Sequence, residues 1–399
     1  MRSRSAVLAG TLAVLAACTD HSPAPTGFNV SAARSGLPFA AGLASPAWQT
    51  TAATRVVQAG FAPFTASRAL SLLGVAQYLA VQRAEGADGD GRNQLELDRG
   101  AVAGASAAVL TYLFSSQAQA FEDLVAAQAT AGPGGQAPHP AFTRGEEVGR
   151  AVGAAIVTRA QGDGFNTPFT GTIPTGAGLW ISNTTPATIA GGQLPTSLPW
   201  FLTSASQFRS PPPPAFGSAA FLAGLAEIRQ LSDNRTADQT RIAAFWAPNA
   251  AGFWIQVGTD GINQHGLSER EATHLYALLS ATIYDAFIGC WDTKQTFWLI
   301  RPWQADPAIT TTAAVGKPNH PSYPSGHSCV AASGAEVLST FFPEQRTQLD
   351  AMVTEAGLSR MYGGIHYRFD IDAGHVLGAN VARFAIAADA SGNSVLTPH

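Results

Sequence analysis

Lys294 and Arg301 lie seven residues apart at the end of an apolar, aromatic-rich stretch that predicts a helix, and Pro302 follows them. Within one helix this spacing places both cations on the same face, two turns apart. Two stacked cations repel each other unless an anion lies between them, so the segment is a candidate oxyanion site. The alternative is that both side chains lie along an apolar surface and reach solvent with their charged ends.

A helix N-terminus is predicted at Pro324-Ser325-Gly326-His327, ahead of the apolar stretch 328–342. Free backbone amides and the positive end of the helix dipole favour an oxyanion there. Gly326 would let the anion approach the backbone, Ser325 can donate its hydroxyl, and His327 is placed to exchange a proton. The alternative is a well-capped helix whose histidine has no chemical role.

His366 and Asp370 are four residues apart, so in a helical turn the carboxylate can accept a hydrogen bond from one imidazole nitrogen. That bond fixes the tautomer and leaves the other nitrogen free as a nucleophile or metal ligand. Arg360 follows Ser359 and adds a third cation. Alone, such a pair is more often a surface hydrogen bond, but the three segments together suit a tetrahedral oxyanion.

In this order, Lys-x6-Arg-Pro, Pro-Ser-Gly-His and Ser-Arg-x5-His-x3-Asp resemble the signature of the superfamily of type 2 phosphatidic acid phosphatases and vanadium-dependent haloperoxidases. Every signature position is filled. The resemblance is strongest over residues 268–386, and a looser likeness reaches back through 199–246. Trp291 and the segment 366–370, His-Tyr-Arg-Phe-Asp, are similar to the haloperoxidase branch. The soluble acid phosphatases of the superfamily, which are usually shorter, are the competing interpretation.

The resemblance implies a vanadate site within residues 290–375. His366 would bond directly to vanadium and Asp370 would orient it, while His327 would act as acid–base catalyst. Lys294 would polarise bound peroxide so that halide attacks it, and a small organic acceptor would take the oxidised halogen. The groups that would hold the vanadate oxygens are Lys294, Arg301, Ser325, the Gly326 amide and Arg360.

In a phosphatase the same residues would take other roles. His366 would become the nucleophile that forms a phosphohistidine, and His327 would protonate the leaving alcohol. The cations would stabilise the phosphoryl-transfer transition state. A third, non-enzymatic interpretation, a lipoprotein that binds phosphate or scaffolds the envelope, would not need the pair of His366 and Asp370.

His320 and Trp291 are the candidates for a halide pocket. By resemblance, the position seven residues before His327 holds histidine in bromide-using members and phenylalanine in chloride-using ones. A histidine there would bring polarity, water and a titratable charge to the pocket, so we expect bromide and iodide oxidation with little chloride oxidation. The alternative is that His320 is an exposed loop histidine.

The N-terminus predicts export. Arg2 and Arg4 precede a twelve-residue apolar stretch that ends in Leu15-Ala16-Ala17-Cys18, and this end resembles the bacterial lipobox. We therefore expect a signal peptide over residues 1–17, a lipid on Cys18 and a tether over 18–60, which would hold the protein at the bacterial cell envelope by its lipid alone. An ordinary signal peptide is the alternative.

Composition fits a large helical core without a nucleic-acid surface. Hydrophobic residues make up 46% and charged residues 13% of the 399 residues, and the formal net charge is −4. No later stretch is long and charge-free enough to predict a membrane span. The two remaining cysteines, Cys290 and Cys329, lie in apolar stretches that predict buried free thiols rather than a disulfide.

The predicted fold is all-α, because strand-like alternation is weak almost everywhere. Residues 61–399 are expected to form one catalytic domain, which by resemblance consists of two packed helical bundles with the oxyanion at one end. A Gly-, Pro- and Thr-rich stretch over 162–217 predicts a long, ordered irregular excursion. The predicted helices span residues 66–84, 101–131, 145–159, 218–232, 241–246 and 268–299.

Overall fold

The computed structural model describes residues 42–87, 93–131, 137–248 and 250–397. Within these ranges the chain is helical and has no extended strand, which confirms the all-α prediction. The helices are α1 (Ser45–Gln58), α2 (Pro63–Ala87), α3 (Gln94–Leu113), α4 (Ala118–Thr130), α5 (Pro140–Gln161), α6 (Ala219–Asp233), α7 (Ala237–Phe245), α8 (Ala250–His265), α9 (Glu269–Phe297), α10 (Pro302–Ala305), α11 (Gly326–Phe341), α12 (Arg346–Tyr362) and α13 (Arg368–Ala390).

Two groups of helices meet where α2 packs along α9. On one side α2 contacts α3 and α5, and on the other side α9 contacts α11 and α13. Glycines let the helices approach closely, since a Cβ atom on Gly100 would lie 2.0 Å from the Phe142 carbonyl oxygen. The same holds between α11 and α13, where a Cβ atom on Gly378 would lie 2.1 Å from the Cys329 carbonyl oxygen. These groups correspond to the two predicted bundles.

Helix α2 corrects the expectation that no later stretch could span a membrane. Its residues Pro63–Gly86 are long and apolar enough to do so, and among the described helices it alone meets that criterion. However, 83% of the apolar 18-residue window within this stretch is buried inside the protein. Such burial is typical of a core helix, because its apolar residues contact neighbouring helices on all sides.

The predicted tether over residues 18–60 extends too far. Residues 45–58 form α1, in which Trp48, Ala52 and Val56 are each 1% exposed. The Glu269 carboxylate accepts hydrogen bonds from the first backbone amides of α1. Spacing of four between the buried residues is a helical pattern that the small residues around it obscure. The signal peptide, Cys18 and the rest of the tether up to residue 41 lie outside the described residues.

Two predicted helices end earlier than expected. The run over 101–131 is broken at Phe114 into α3 and α4. More important for function, α9 ends at Phe297, and Trp298 adopts the left-handed conformation with φ of 49°. Arg301 therefore precedes α10 instead of sharing a helix face with Lys294, which corrects that expectation.

The turn after α9 is formed by contact with the irregular excursion over 162–217, which the structure confirms as ordered and free of α-helix. The Trp180 amide donates to the Trp298 carbonyl at 2.6 Å, and the Ile300 amide donates to the Gly178 carbonyl at 3.0 Å. These bonds give the chain an extended partner, so the helix stops.

The buried Asp285 carboxylate holds the excursion against α9 from a second side. It accepts hydrogen bonds from the backbone amides of Trp200, Phe201 and Leu202 at 2.7 to 3.0 Å. Three donors on one buried carboxylate satisfy groups that would otherwise be unpaired in the interior. The excursion therefore lies over the part of α9 that leads into Lys294.

Candidate active site

The three motifs meet at one end of the C-terminal helices. Lys294 comes from the last turn of α9, Ser325 to His327 from the start of α11, Arg360 from the last turn of α12, and His366 and Asp370 from the entry into α13. The cations and the histidine–aspartate pair are buried: Lys294, Arg301 and Asp370 are 0% exposed, and Arg360 and His366 are 2% exposed.

His366 and Asp370 form the predicted pair. His366 Nδ1 and Asp370 Oδ2 are 2.9 Å apart, with His366 in the turn before α13 rather than in the helix itself. On the other side of the ring, Arg301 Nη1 lies 3.0 Å from His366 Nε2. Since a guanidinium only donates, Nε2 is the acceptor and the proton is on Nδ1. The nitrogen that the prediction left free for chemistry therefore carries a lone pair.

Arg301 contacts two histidines of the site, His320 and His366. Its Nε donates to the His320 carbonyl at 2.9 Å, and its Nη2 lies 3.1 Å from His320 Nδ1. Its Nη1 also donates to the Ile365 carbonyl at 2.7 Å. All its partners are neutral acceptors, so its charge is not balanced by a direct ion pair within the described residues.

Arg360 is likewise held by neutral groups. Its Nε donates to the Ser359 hydroxyl at 2.9 Å and its Nη2 to the Ala243 carbonyl at 3.0 Å. Burial lowers the pKa of Arg360 to about 9 and the pKa of Arg301 to about 10, yet both groups stay protonated near neutral pH. The carboxylate that lies near Arg301 and Lys294 is Asp370.

Lys294 reaches the site, but its hydrogen bonds go to the backbone. Its Nζ donates to the carbonyl oxygens of Pro321 and Ser322 at 2.8 Å and of Pro324 at 2.5 Å. An ammonium has three donors, so all of them are used by the loop before α11. Burial lowers the pKa of Lys294 to about 8. Lys294 therefore contributes buried positive charge to the site, with its three donors engaged by backbone carbonyls of the loop.

The start of α11 has the predicted cap. The Ser325 hydroxyl accepts from the Ser328 amide at 3.3 Å, which leaves its own proton free to be donated. A Cβ atom on Gly326 would lie 3.3 Å from the Trp291 ring. The glycine is thus explained first by close contact with this ring, a reason that differs from the predicted approach of an anion.

His327 points towards the end of α7. Its Nε2 lies 3.0 Å from the Trp246 carbonyl, which can only accept, so the Nε2 proton is donated and Nδ1 carries the lone pair. Burial, and next the Arg360 charge, lower the pKa of His327 well below its usual value. A neutral imidazole with a free acceptor nitrogen can take a proton from a bound group.

His320 is half-buried and bonded to Arg301, which corrects the alternative of an exposed loop histidine. Its ring centroid is 4.8 Å from that of Trp291, whose indole Nε1 donates to the Ala190 carbonyl at 2.8 Å. Burial, and next the Arg301 charge, lower the pKa of His320 well below its usual value. The lowered pKa favours the neutral ring and thus argues against the titratable charge expected at this position.

Residues 272–390 match the sequence profile of the PAP2 superfamily. The match covers the segment that carries Lys294, Arg301, His327, Arg360, His366 and Asp370. A non-specific acid phosphatase of Providencia stuartii is 29% identical over 210 residues, which cover 50% of this chain and 84% of the relative. Another, from Salmonella typhi, is 43% identical over 58 residues, 14% of this chain and 23% of the relative.

The similarity to solved structures extends beyond the segment that matches the PAP2 profile. The first bacterial vanadium-dependent iodoperoxidase has a TM-score of 0.72 at 22% identity, covering 86% of this chain and 95% of the other. A holo-type bacterial vanadium-dependent chloroperoxidase has a TM-score of 0.66 at 15% identity, covering 82% and 92%. At these identities the likeness shows the fold, including the N-terminal helices that precede the PAP2 segment.

Three contacts in the site were not predicted from the sequence. The Ser322 hydroxyl donates to Asp370 Oδ2 at 2.5 Å, and the Trp246 carbonyl pairs with His327. Arg209 forms a two-point ion pair with Asp292 at 2.7 and 2.8 Å, two residues before Lys294. The segment of Arg209 had shown a loose family likeness, whereas backbone acceptors leave no trace in a residue pattern.

Proposed function

We propose that this chain is a vanadate-dependent haloperoxidase, which oxidises halide with hydrogen peroxide to a hypohalous species that a small organic acceptor consumes. One observation carries the proposal: Lys294, Arg301 and Arg360 are all buried, and Asp370 is the carboxylate near Lys294 and Arg301. Buried charges are costly unless paired. An oxyanion with several negative charges would supply the missing counter-charge beside His366.

The residues fit vanadate. His366 Nε2 carries a lone pair that accepts from Arg301 Nη1 and would be released from that bond to hold vanadium. The bond from Nδ1 to Asp370 fixes the ring, as is usual for a metal-ligating histidine. Arg301 and Arg360 are the cations that would hold the oxygens, with the Ser325 hydroxyl. When bound, vanadate would supply a Lewis acid that takes up hydrogen peroxide and makes it electrophilic towards halide.

The protein's own groups would do the rest. Asp370 holds the His366 tautomer, while Lys294 adds positive charge from behind the loop without a direct hydrogen bond. His327 Nδ1 would accept a proton from incoming peroxide and later return it to a leaving oxygen. Its Nε2 stays engaged with the Trp246 carbonyl throughout, which keeps Nδ1 as the reactive nitrogen.

The structural likeness to the iodoperoxidase, over 86% of this chain, supports the haloperoxidase reaction. For the halide, we retain bromide and iodide, because His320 and Arg301 make the pocket beside Trp291 polar. Iodide and bromide are easier to oxidise than chloride and need less activation of the peroxide.

Acid phosphatase activity is the second candidate, and the identity with non-specific acid phosphatases favours it. His366 Nε2 would attack phosphorus and form a phosphohistidine, and His327 would protonate the leaving alcohol. Arg301 and Arg360 would bind the phosphoryl oxygens in the transition state. Both activities use the same atoms, so an assay decides between them.

The deciding assay compares two reactions on one preparation. Purified protein is incubated with orthovanadate and tested for peroxide-dependent bromination and iodination, beside vanadate-free protein tested for hydrolysis of p-nitrophenyl phosphate. We expect halide oxidation only after vanadate addition and little ester hydrolysis. Rapid ester hydrolysis that vanadate inhibits, without halide turnover, would assign the site to the phosphatase reaction.

We also propose that the enzyme is exported and held at the bacterial cell envelope by a lipid on Cys18, on the strength of Leu15-Ala16-Ala17-Cys18. Mass spectrometry of the mature N-terminus tests this independently of catalysis. An acylated Cys18 is expected, and an unmodified Cys18 or cleavage at another bond would refute the anchor.

A further inference from the structure

Ser322 contacts both Lys294 and Asp370, and it has no role in the function proposed above. It precedes the Pro-Ser-Gly-His motif and is 0% exposed. Its backbone amide donates to the Leu299 carbonyl at 2.9 Å, and its carbonyl accepts from Lys294 Nζ at 2.8 Å. The residue is therefore fixed to the end of α9 by both backbone groups, and only its hydroxyl is left to bond elsewhere.

That hydroxyl donates to Asp370, on the opposite side of the site. The distance from Ser322 Oγ to Asp370 Oδ2 is 2.5 Å. The same oxygen also accepts from His366 Nδ1 at 2.9 Å and from the Tyr367 amide at 3.1 Å. Asp370 Oδ1 is buried and has no hydrogen-bond partner among the described residues. All three hydrogen bonds to the carboxylate thus end on Oδ2. Two of the donors, His366 and Tyr367, lie directly before α13, and Ser322 is the third.

We propose that Ser322 is a positioning residue, which holds the Asp370 carboxylate in the orientation that accepts the His366 Nδ1 proton. The inference rests on the proposed function for the chemistry of His366. Because Oδ1 is unpartnered, loss of the serine hydroxyl frees the carboxylate to turn, and the imidazole then loses its fixed tautomer. Ser322 also links this pair to the buried charge of Lys294, since one short residue bonds to both.

The test begins with a variant of almost unchanged size. Ser322→Ala removes the hydroxyl, and we expect kcat/KM for halide oxidation to fall roughly ten-fold, as for other groups that orient a metal-ligating histidine. The Kd for inorganic sulfate should change less than about two-fold, because Arg301 and Arg360 remain in place. Ser328→Ala is the matched control: its hydroxyl is also buried but has no partner among the described residues.

A second measurement does not depend on turnover. Protein with 15N-labelled histidine is examined by NMR, and the His366 signals are assigned by comparison with His366→Gln. We expect wild-type protein and Ser328→Ala to show the Nδ1–H tautomer of His366, and Ser322→Ala to show a mixture of tautomers. Ser322→Cys, with similar volume and a weak donor, should fall between them and replaces Ser322→Ala if that variant does not fold.

The outcomes separate this inference from the proposed function. Tautomer mixing in Ser322→Ala supports the positioning role even if the wild-type protein oxidises no halide. Ser322→Ala and Ser322→Cys with the wild-type tautomer and wild-type kcat/KM would overturn it, whatever reaction the enzyme catalyses. An equal loss in Ser328→Ala and Ser322→Ala would also overturn it, because any buried hydroxyl would then have the same effect.

Discussion

Buried arginines are balanced differently in the two groups of helices. In the N-terminal group, Arg68 is bonded to Asp163 and Arg99 to Glu96, each at 2.7 Å. In the C-terminal group, Arg301 and Arg360 are as deeply buried but donate to carbonyls, a hydroxyl and imidazole nitrogens. In the first arrangement each buried cation has a carboxylate partner within the fold.

The second arrangement carries positive charge that its own residues do not neutralise. Keeping such charge buried costs free energy unless a ligand supplies the opposite charge. The difference between the two groups indicates where the fold serves structure and where it serves a bound oxyanion.

The largest effect on stability is expected from breaking a complete pair. Asp163→Ala leaves Arg68 buried without a carboxylate, so the free energy of unfolding should fall by about 3–5 kcal/mol. Urea unfolding followed by circular dichroism measures it. Asp233→Ala, which removes the partner of the exposed Arg229, is the control and should leave the unfolding curve unchanged. Equal unfolding curves for both variants would contradict the structural role of the buried pair.

Removing a cation from the site should affect binding and leave stability largely unchanged. Arg360→Met replaces a buried charge that lacks a carboxylate partner, and we expect the free energy of unfolding to change by less than about 1 kcal/mol in phosphate-free buffer. Inorganic phosphate should raise the melting temperature of the wild-type protein and not that of the variant. A loss of stability as large as that of Asp163→Ala would show that Arg360 is structural.

The lowered pKa of Lys294 predicts how oxyanion binding depends on pH. Burial lowers the pKa of Lys294 from its usual value of 10.5 to about 8, so the positive charge is present below that pH and is lost above it. Binding of sulfate, whose own charge is constant, should therefore weaken by roughly ten-fold between about pH 7 and about pH 9. Calorimetric titration of wild-type protein and Lys294→Met checks this. An affinity that stays level for wild-type protein across this range would refute it.

The smallest expected effect is on halide choice. His320→Phe removes the polar group that Arg301 Nη2 contacts beside Trp291. The ratio of chloride to bromide turnover should rise, by less than about ten-fold, because a single pocket contact changes. Steady-state rates with chloride, bromide and iodide for both proteins measure it. Efficient chloride oxidation by the unmodified enzyme would refute the expected preference for bromide and iodide.

The site was predictable where chemistry depends on local spacing. The pair of His366 and Asp370 follows from a separation of four residues, and the cap at Ser325 from the residues that start α11. The prediction that Lys294 and Arg301 share one helix face is wrong, because the turn at Trp298 is formed by contact with residues more than a hundred positions earlier. No local pattern carries that information.

The two features that the sequence did not predict, the role of Ser322 and helix α1, both depend on contacts between residues far apart in sequence. Ser322 is ordinary by type, and its role comes from bonds to α9 and to the entry of α13. The sequence places helix α1 within the predicted tether, because its few buried side chains stand among small polar ones. Its packing depends on Glu269, far away in sequence. Long-range contacts decide both cases, whereas the all-α class follows from composition and periodicity alone.

The central claim is that His366 Nε2, oriented by Asp370, completes a cationic vanadate site. It is tested most directly by titrating orthovanadate into wild-type protein, Asp370→Ala and His366→Ala, while peroxide-dependent bromide oxidation is followed. The account predicts saturable activation of the wild-type protein, about ten- to a hundred-fold weaker activation of Asp370→Ala and none for His366→Ala. Normal vanadate-dependent turnover by His366→Ala would contradict the account.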